Sequence, residues 1–173
     1  MDGHLIAFFY VDDIVLLCQK EDISKLSHLW DQLLQRYEMR DLGQLTWFLG
    51  IRILRDRAKR KIWLCQDAYI EKLAKSFHLE YAWPAHTPLP SEELTPGTEK
   101  ASPQDIYTYQ CKVGSSLYAI TITRPDIACI AGKLSEFLQN PLVQYQGAVN
   151  RVITYLYSIH YYAIKYSPIA IEQ

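Results

Sequence analysis

Two short apolar runs, Leu5-Ile6-Ala7-Phe8-Phe9-Tyr10 and Ile14-Val15-Leu16-Leu17-Cys18, stand on either side of Val11-Asp12-Asp13. Both are rich in aromatic and β-branched residues and lack polar residues at helical spacing, so they predict two strands joined by a tight turn. The expectation is a buried hairpin with two adjacent acids at its tip. Like charges so close oppose each other's ionisation unless something offsets them. A divalent cation would do so, because Mg²⁺ takes hard oxygen ligands, usually one or two carboxylates with phosphate oxygens beside them. The plainer reading is that Asp12 and Asp13 are turn residues, since Asp is common in hairpin turns through local hydrogen bonds. For four residues taken alone, the plainer reading is the stronger.

The rest of the chain alternates in period. After Asp22, the residues Ile23, Leu26, Leu29, Trp30, Leu33, Leu34 and Tyr37 recur at spacings of three and four and predict one face of a helix. Asp41-Leu42-Gly43 breaks it. Leu45 to Leu54 then reads as one strand, followed by a polar turn at Asp56 to Lys61 and a return strand Ile62 to Cys65. Ile70, Leu73, Ala74 and Phe77 predict a helix from Asp67 to His78, with Asp67 and Glu71 toward the positive end of its dipole. Five prolines between Pro84 and Pro103 predict an extended surface connection that supplies no core. Beyond it the pattern is helical again over 105–122, 125–138 and 143–157, with Pro125 at a first helical position and Asn140-Pro141 as a stop. The second half therefore reads as all-helical, and the tyrosine-rich stretch from Tyr155 to Tyr166 as interface or core.

Composition narrows the class. A chain of 173 residues with 49% hydrophobic side chains can bury a core. Its formal net charge of −1 gives no global attraction to a polyanion, so contact with nucleic acid must come from local cation clusters. One such cluster holds Arg52, Arg55, Arg57, Lys59, Arg60 and Lys61, opposed only by Asp56. It would meet phosphates without reading sequence, and the alternative is an ordinary solvated turn. Trp47 and Trp63 would stack on bases or, as strand aromatics more often do, join the core. Cys18, Cys65, Cys111 and Cys129 form no C-x-x-C pair and are expected as free, buried thiols. His4, His28, His78, His86 and His160 lack zinc spacing and are expected to be structural or exposed. No apolar run is long enough for a membrane span.

Several ordered blocks carry a resemblance. Tyr10-Val11-Asp12-Asp13 is followed by Met39-Arg40-Asp41-Leu42-Gly43-Gln44-Leu45, Phe48-Leu49-Gly50-Ile51-Arg52-Ile53, then Leu64, Gln66 and Tyr69, and Thr87-Pro88-Leu89. Tyr109, Val113-Gly114-Ser115 and Leu117-Tyr118 precede Thr123-Arg124-Pro125-Asp126-Ile127-Ala128, and Leu134-Ser135, Phe137, Asn140 and Pro141 complete the series. In this order the blocks resemble the copia-type retrotransposon reverse transcriptase family over nearly the whole length. The resemblance implies an α+β fragment: a partial palm of antiparallel hairpins plus a helix over 1–66, a helix leading out over 67–83 and a linker over 84–103. A helical thumb and connection over 104–160 and a tail over 161–173 would follow, ahead of a ribonuclease H domain.

It also implies roles. Asp12 and Asp13 would be the catalytic acids and ligands of Mg²⁺ or Mn²⁺, with Tyr10 and Val11 near the primer end and incoming nucleotide. Phe48, Leu49, Gly50 and Ile51 would grip the primer, and the basic cluster would meet the nucleic-acid backbone. The partners would be an RNA or DNA template-primer and deoxynucleotides, in the cytoplasm or nucleus. Arg40 stands where the family has a lysine and, as a poor acid, keeps at most an electrostatic role. Ser158-Ile159-His160 departs from the family's K-G-T. For Arg124 a structural pairing with Asp126 is favoured over a nucleic-acid contact. The family's third metal-binding aspartate and nucleotide pocket belong to upstream segments, so polymerase activity is not expected of the isolated chain. The alternatives are a non-catalytic nucleic-acid-binding remnant and a genomic relic without selected function.

Overall fold

The computed structural model describes residues 5–89, 94–95 and 97–168. His4, residues 90–93 and 96 of the expected linker, and the end of the expected tail lie outside the described residues. The chain divides into two compact units, Met1–Leu45 and Thr46–Gln173.

In the first unit, strands β1 (Leu5–Tyr10) and β2 (Asp13–Cys18) pair antiparallel from Leu5 opposite Cys18 to Tyr10 opposite Asp13. Helix α1 (Ile23–Arg36) follows a single 3₁₀ turn at Lys20–Asp22. Buried Asp22 begins α1 and takes Lys25 Nζ at 2.7 Å, one turn on. Arg36 lies in the last turn, where a cation suits the helix dipole. Asp41 Oδ1 accepts from Gly43 N at 2.6 Å, and Gly43 has φ +75°, so the Asp41-Leu42-Gly43 break is a local side-chain turn. The hairpin forms as expected but is not buried: Phe9 is 71% exposed, and Ile6, Phe8 and Tyr10 are also exposed. Two strands and one helix offer too little area to cover both faces of a sheet, and α1 itself buries no residue fully.

The second unit carries a four-stranded antiparallel sheet in the order β3 (Trp47–Phe48), β4 (Ile51–Asp56), β5 (Lys61–Cys65), β6 (Ile164–Tyr166). The single strand expected over Leu45 to Leu54 is in fact two. Phe48 pairs with Ile51 across a two-residue loop, with φ +51° at Leu49 and +75° at Gly50. Positive φ at both loop positions matches the right-handed strand twist, and Gly50 adopts it without a Cβ penalty. Tyr118 donates its hydroxyl to Leu49 O at 2.8 Å and so fixes the loop from outside the sheet.

Helix α2 (Asp67–Ser76) leaves β5 directly, and α3 (Pro103–Ile122), α4 (Ala128–Ser135) and α5 (Val143–Ser158) build the bundle. Ser102 caps α3 by accepting from Asp105 N at 3.1 Å, with Pro103 in the first turn. Tyr109 and Val113 from α3, Leu134 from α4, and Tyr145, Val149 and Val152 from α5 meet Ile70 of α2 in one core. Tyr109 donates to Leu134 O at 2.8 Å, so its phenol is satisfied inside that core.

Three expectations are corrected here. The proline-rich connection does contribute to the core, because Leu89 and Leu94 pack on it. It is also pinned to α5: Arg151 donates to Thr87 O at 3.0 Å and Gln144 to Thr95 O at 2.8 Å. The second half is not all-helical, since β6 pairs Lys165 with Trp63. The four cysteines are free, yet only Cys65 is buried. Among the described residues no helix is long and apolar enough to cross a membrane.

Arg124 has the structural role expected. Its guanidinium, 1% exposed, donates from Nε and Nη2 to both Asp126 oxygens at 2.9 and 2.7 Å and lies over the Tyr155 and Tyr162 rings. That hydrogen bonding holds the Asp126 carboxyl below its ordinary value of 3.8. The pair's contribution is therefore present above that value and lost as acid protonates the folded carboxylate. Asp126→Asn should cost about 2 kcal/mol at neutral pH, less than the ~3–5 kcal/mol of a fully buried pair. The reduction follows from Asp126 being 45% exposed. Urea denaturation across the acid range should show a flatter pH dependence for this variant than for the parent.

The Leu49-Gly50 loop makes a separate prediction. A Cβ at Gly50 would meet only Tyr118 Oη at 3.9 Å, so Gly50→Ala is penalised by its φ rather than by a clash. Its expected cost is about 1–2 kcal/mol. Tyr118→Phe should cost about 1 kcal/mol through the unpaired Leu49 carbonyl. The double variant should be non-additive in urea melts, because both changes act on one loop.

Candidate functional site

The β1–β2 register makes Val11 and Asp12 the two loop residues and Asp13 the first residue of β2, opposite Tyr10. Tyr10, Val11, Asp12 and Asp13 are all exposed. Val11 has φ +49°, a conformation that costs a β-branched residue about 1–2 kcal/mol. Neither acid forms an ion pair among the described residues. Their oxygens therefore need break no ion pair with those residues to meet a cation. Two carboxylates fit an ion that completes its shell with phosphate and water oxygens. Among the described residues no group of three or more His, Cys, Asp or Glu side chains is placed to hold a metal.

In the second unit, Phe48, Leu49, Gly50 and Ile51 form the tight loop between β3 and β4. Its anchor, Tyr118, packs edge-on against Tyr69 at 4.8 Å, and Tyr69 in turn donates to Ser115 O at 2.7 Å. The expected primer-grip residues thus sit on a loop braced by α3.

The six basic residues do not form one patch. Arg52 Nη2 pairs with buried Asp67 Oδ2 at 2.6 Å, and its guanidinium lies over Trp47 at 4.9 Å. The carboxylate at the start of α2 thus engages the guanidinium that was expected at the nucleic-acid backbone. Lys59 is drawn toward Asp56, its N–H donating to Oδ1 at 2.9 Å and its Nζ standing 3.8 Å from Oδ2. Arg55, Arg57, Arg60 and Lys61 make no ion pair among the described residues. Cross-strand partners share a face, so Arg52, Leu54 and Asp56 lie with Cys65, Trp63 and Lys61, while Arg55 points to the other side.

Around the same strands, Asp67, Gln66 and Cys65 make tertiary contacts that local pattern does not show. Asp67 was assigned only to the helix dipole, yet it also holds Arg52. Gln66, fully buried, accepts from Thr123 Oγ1 at 2.8 Å and ties the start of α2 to the end of α3. Cys65 Sγ contacts His160 O at 3.4 Å, and burial pushes its thiol above the ordinary range. A clue was present in the continuous Cys65-Gln66-Asp67 run between a strand and a helix, a join too short to be exposed loop. The expected split of Trp47 and Trp63 between stacking and core resolves toward the surface: Trp47 is exposed and Trp63 half-buried.

A family model for reverse transcriptase (RNA-dependent DNA polymerase) matches residues 1–91. The chain is 36% identical over 162 residues to the retrovirus-related Pol polyprotein from transposon TNT 1-94 of Nicotiana tabacum, covering 90% of this chain and 12% of that one. It is 32% identical over 167 residues to a transposon Ty5-1 protein of Saccharomyces cerevisiae, covering 95% of this chain and 53% of that one. To the Pol polyprotein from transposon RE1 of Arabidopsis thaliana it is 33% identical over 150 residues, 85% of this chain and 10% of that one. The chain thus spans about half or less of the length of these relatives. No solved structure matches it. With more than half of its length matched by the family model and its motif blocks in the family's order, the chain belongs to the copia-type reverse transcriptases of retrotransposon Pol polyproteins.

Proposed function

We propose that this reverse transcriptase-like chain supplies the acidic hairpin and a primer-holding hairpin to RNA-directed DNA synthesis, and that its 173 residues alone bind template-primer without extending it. The observation that carries this reading is the two-residue loop that presents Asp12 and Asp13, exposed and without ion-pair partners among the described residues, beside Tyr10 and Val11.

In this reading Asp12 and Asp13 hold Mg²⁺ or Mn²⁺. Such ions would favour the primer 3′-alkoxide and spread the charge of the transferred phosphoryl group. The 3′-hydroxyl gives its proton to solvent, its oxygen bonds to the α-phosphorus of a deoxynucleotide, and the bond from that phosphorus to the α–β bridging oxygen breaks as pyrophosphate leaves. Tyr10 and Val11 border the primer end. Phe48, Leu49, Gly50 and Ile51 hold the primer strand on a tight loop that Tyr118 braces. Arg55, Arg57, Arg60 and Lys61, with Lys59 in part, meet phosphates. Arg40 adds positive potential and transfers no proton, because its guanidinium stays charged.

The resemblance implies a third carboxylate on an upstream strand, so two acids should not suffice. The purified 173-residue chain should give no primer extension with Mg²⁺ or Mn²⁺, and robust incorporation would overturn this part of the reading. The cations of the hairpin turn that make no ion pair among the described residues also favour a second use as a non-catalytic clamp. Anisotropy titrations should show affinity for template-primer falling with salt, at a log–log slope of about −3 to −4 for four phosphate contacts. Asp12→Ala and Asp13→Ala should leave binding intact, whereas charge reversal at Arg57, Arg60 and Lys61 should weaken it and flatten the slope. Salt-independent binding would count against both uses.

A further inference from the structure

The β4–β5–β6 register builds one composite surface. Leu54, Trp63 and Lys165 form a row across the three strands, with Asp56–Lys61 as the next row on one side and Arg52–Cys65 on the other. Cross-strand neighbours share a face, so Trp63 is the aromatic centre of a surface with a lysine in its own row and another in the adjoining one. Over this face opens a cleft of about 360 Å³. Its lining includes Leu54, Trp63, Tyr161 and Ala163 together with the Arg52–Asp67 ion pair. The volume lies within the range of about 300–1,000 Å³ typical of ligand clefts. Nothing among the described residues covers the cleft: Leu54 is 50% exposed and Tyr161 71%.

The charge pattern narrows the occupant. Both acids on this face are engaged, Asp67 with Arg52 and Asp56 with Lys59. Lys61 and Lys165 make no ion pair among the described residues. An indole and a phenol in one cleft, on a sheet face that also carries two lysines, suit a planar apolar ring attached to an anion. A free phosphate would leave the indole and phenol unused. An apolar protein segment would leave the lysines uncompensated.

From this juxtaposition we infer that the cleft accepts one nucleobase of a single-stranded nucleic acid, stacked on Trp63 and flanked by Tyr161, with its phosphodiester at Lys61 and Lys165. The strand must be single because a base in a duplex has both faces covered by its neighbours. This subsite rests on the reading of the chain as a nucleic-acid binder, but differs from the phosphate contacts of the hairpin turn in requiring bases.

Fluorescence anisotropy with the 173-residue chain tests it, using a dye-labelled twelve-nucleotide thymidine oligomer and an abasic oligomer of equal length. The thymidine oligomer should bind more tightly. Tyr161→Ala and Trp63→Ala should each weaken its binding about 5- to 100-fold, as for loss of one base–aromatic stack, and leave the abasic oligomer unaffected. Trp63→Phe should keep most of the affinity. Trp63 is half-buried, so circular dichroism checks the fold of its variants, and exposed Tyr161 decides the matter if they fail to fold. Equal affinity for the two oligomers, or a Tyr161→Ala variant indistinguishable from the parent, would overturn the base site while leaving the phosphate contacts standing. Binding of neither oligomer would remove the nucleic-acid reading and this inference together.

Discussion

The second unit depends on the join between β5 and α2. There is no loop between them: the three residues Cys65, Gln66 and Asp67 are buried in succession, and each reaches a different part of the unit. Cys65 meets the carbonyl after α5, Gln66 takes a hydroxyl from the end of α3, and Asp67 holds β4 through Arg52. A strand that runs straight into a helix is held by those of its buried polar groups that find partners, here Gln66 Oε1 and Asp67 Oδ2, while Gln66 Nε2 and Asp67 Oδ1 have none among the described residues. Burial of the Asp67 carboxylate is costly, and the half-exposed guanidinium offsets that cost in part, so the pair specifies geometry more than it adds stability. The tight β3–β4 loop is held separately, by Tyr118 of α3.

The two units differ in how much core supports their functional residues. Arg52, Trp63 and the Leu49-Gly50 loop stand beside a packed bundle and are braced by Asp67 and Tyr118. The acidic hairpin has only its own ladder and one amphipathic helix, and its apolar side chains remain largely exposed. Positive φ at Val11 adds backbone strain at the loop that carries Asp12. A turn placed under strain and left accessible to ligands sits at the low-stability end of a fold.

Much of the fold was legible in the residues. Apolar positions at helical spacing located α1, α2, α3 and α5 to within a few residues, because those faces bury against something in each unit. Alternation and turn chemistry located the first hairpin and the β4–β5 pair. The Leu49-Gly50 loop was not legible, since Leu-Gly lacks the Asn or Asp that signals a two-residue hairpin and its flanks read as one apolar strand. Strand β6 was missed because three residues are too few to display a period. The connection's grip on the core was missed because composition reports the average character of a segment, and here two leucines among prolines make the contact.

The candidate site divides along the same line. By themselves the residues determined ancestry, the acidic pair and its hairpin, and the charge of the β4–β5 turn, because order and local chemistry are properties of the chain. Only tertiary structure decided that Arg52 is engaged by Asp67 and that half-buried Trp63 lines one cleft with Tyr161, with Lys165 opposite it in the sheet. Those relations join residues from near 50 to those beyond 160, and no local pattern encodes which face of a strand meets which distant side chain. The register of β6 on β5 does so, with Cys65 at the end of β5 in contact with the His160 carbonyl just before β6.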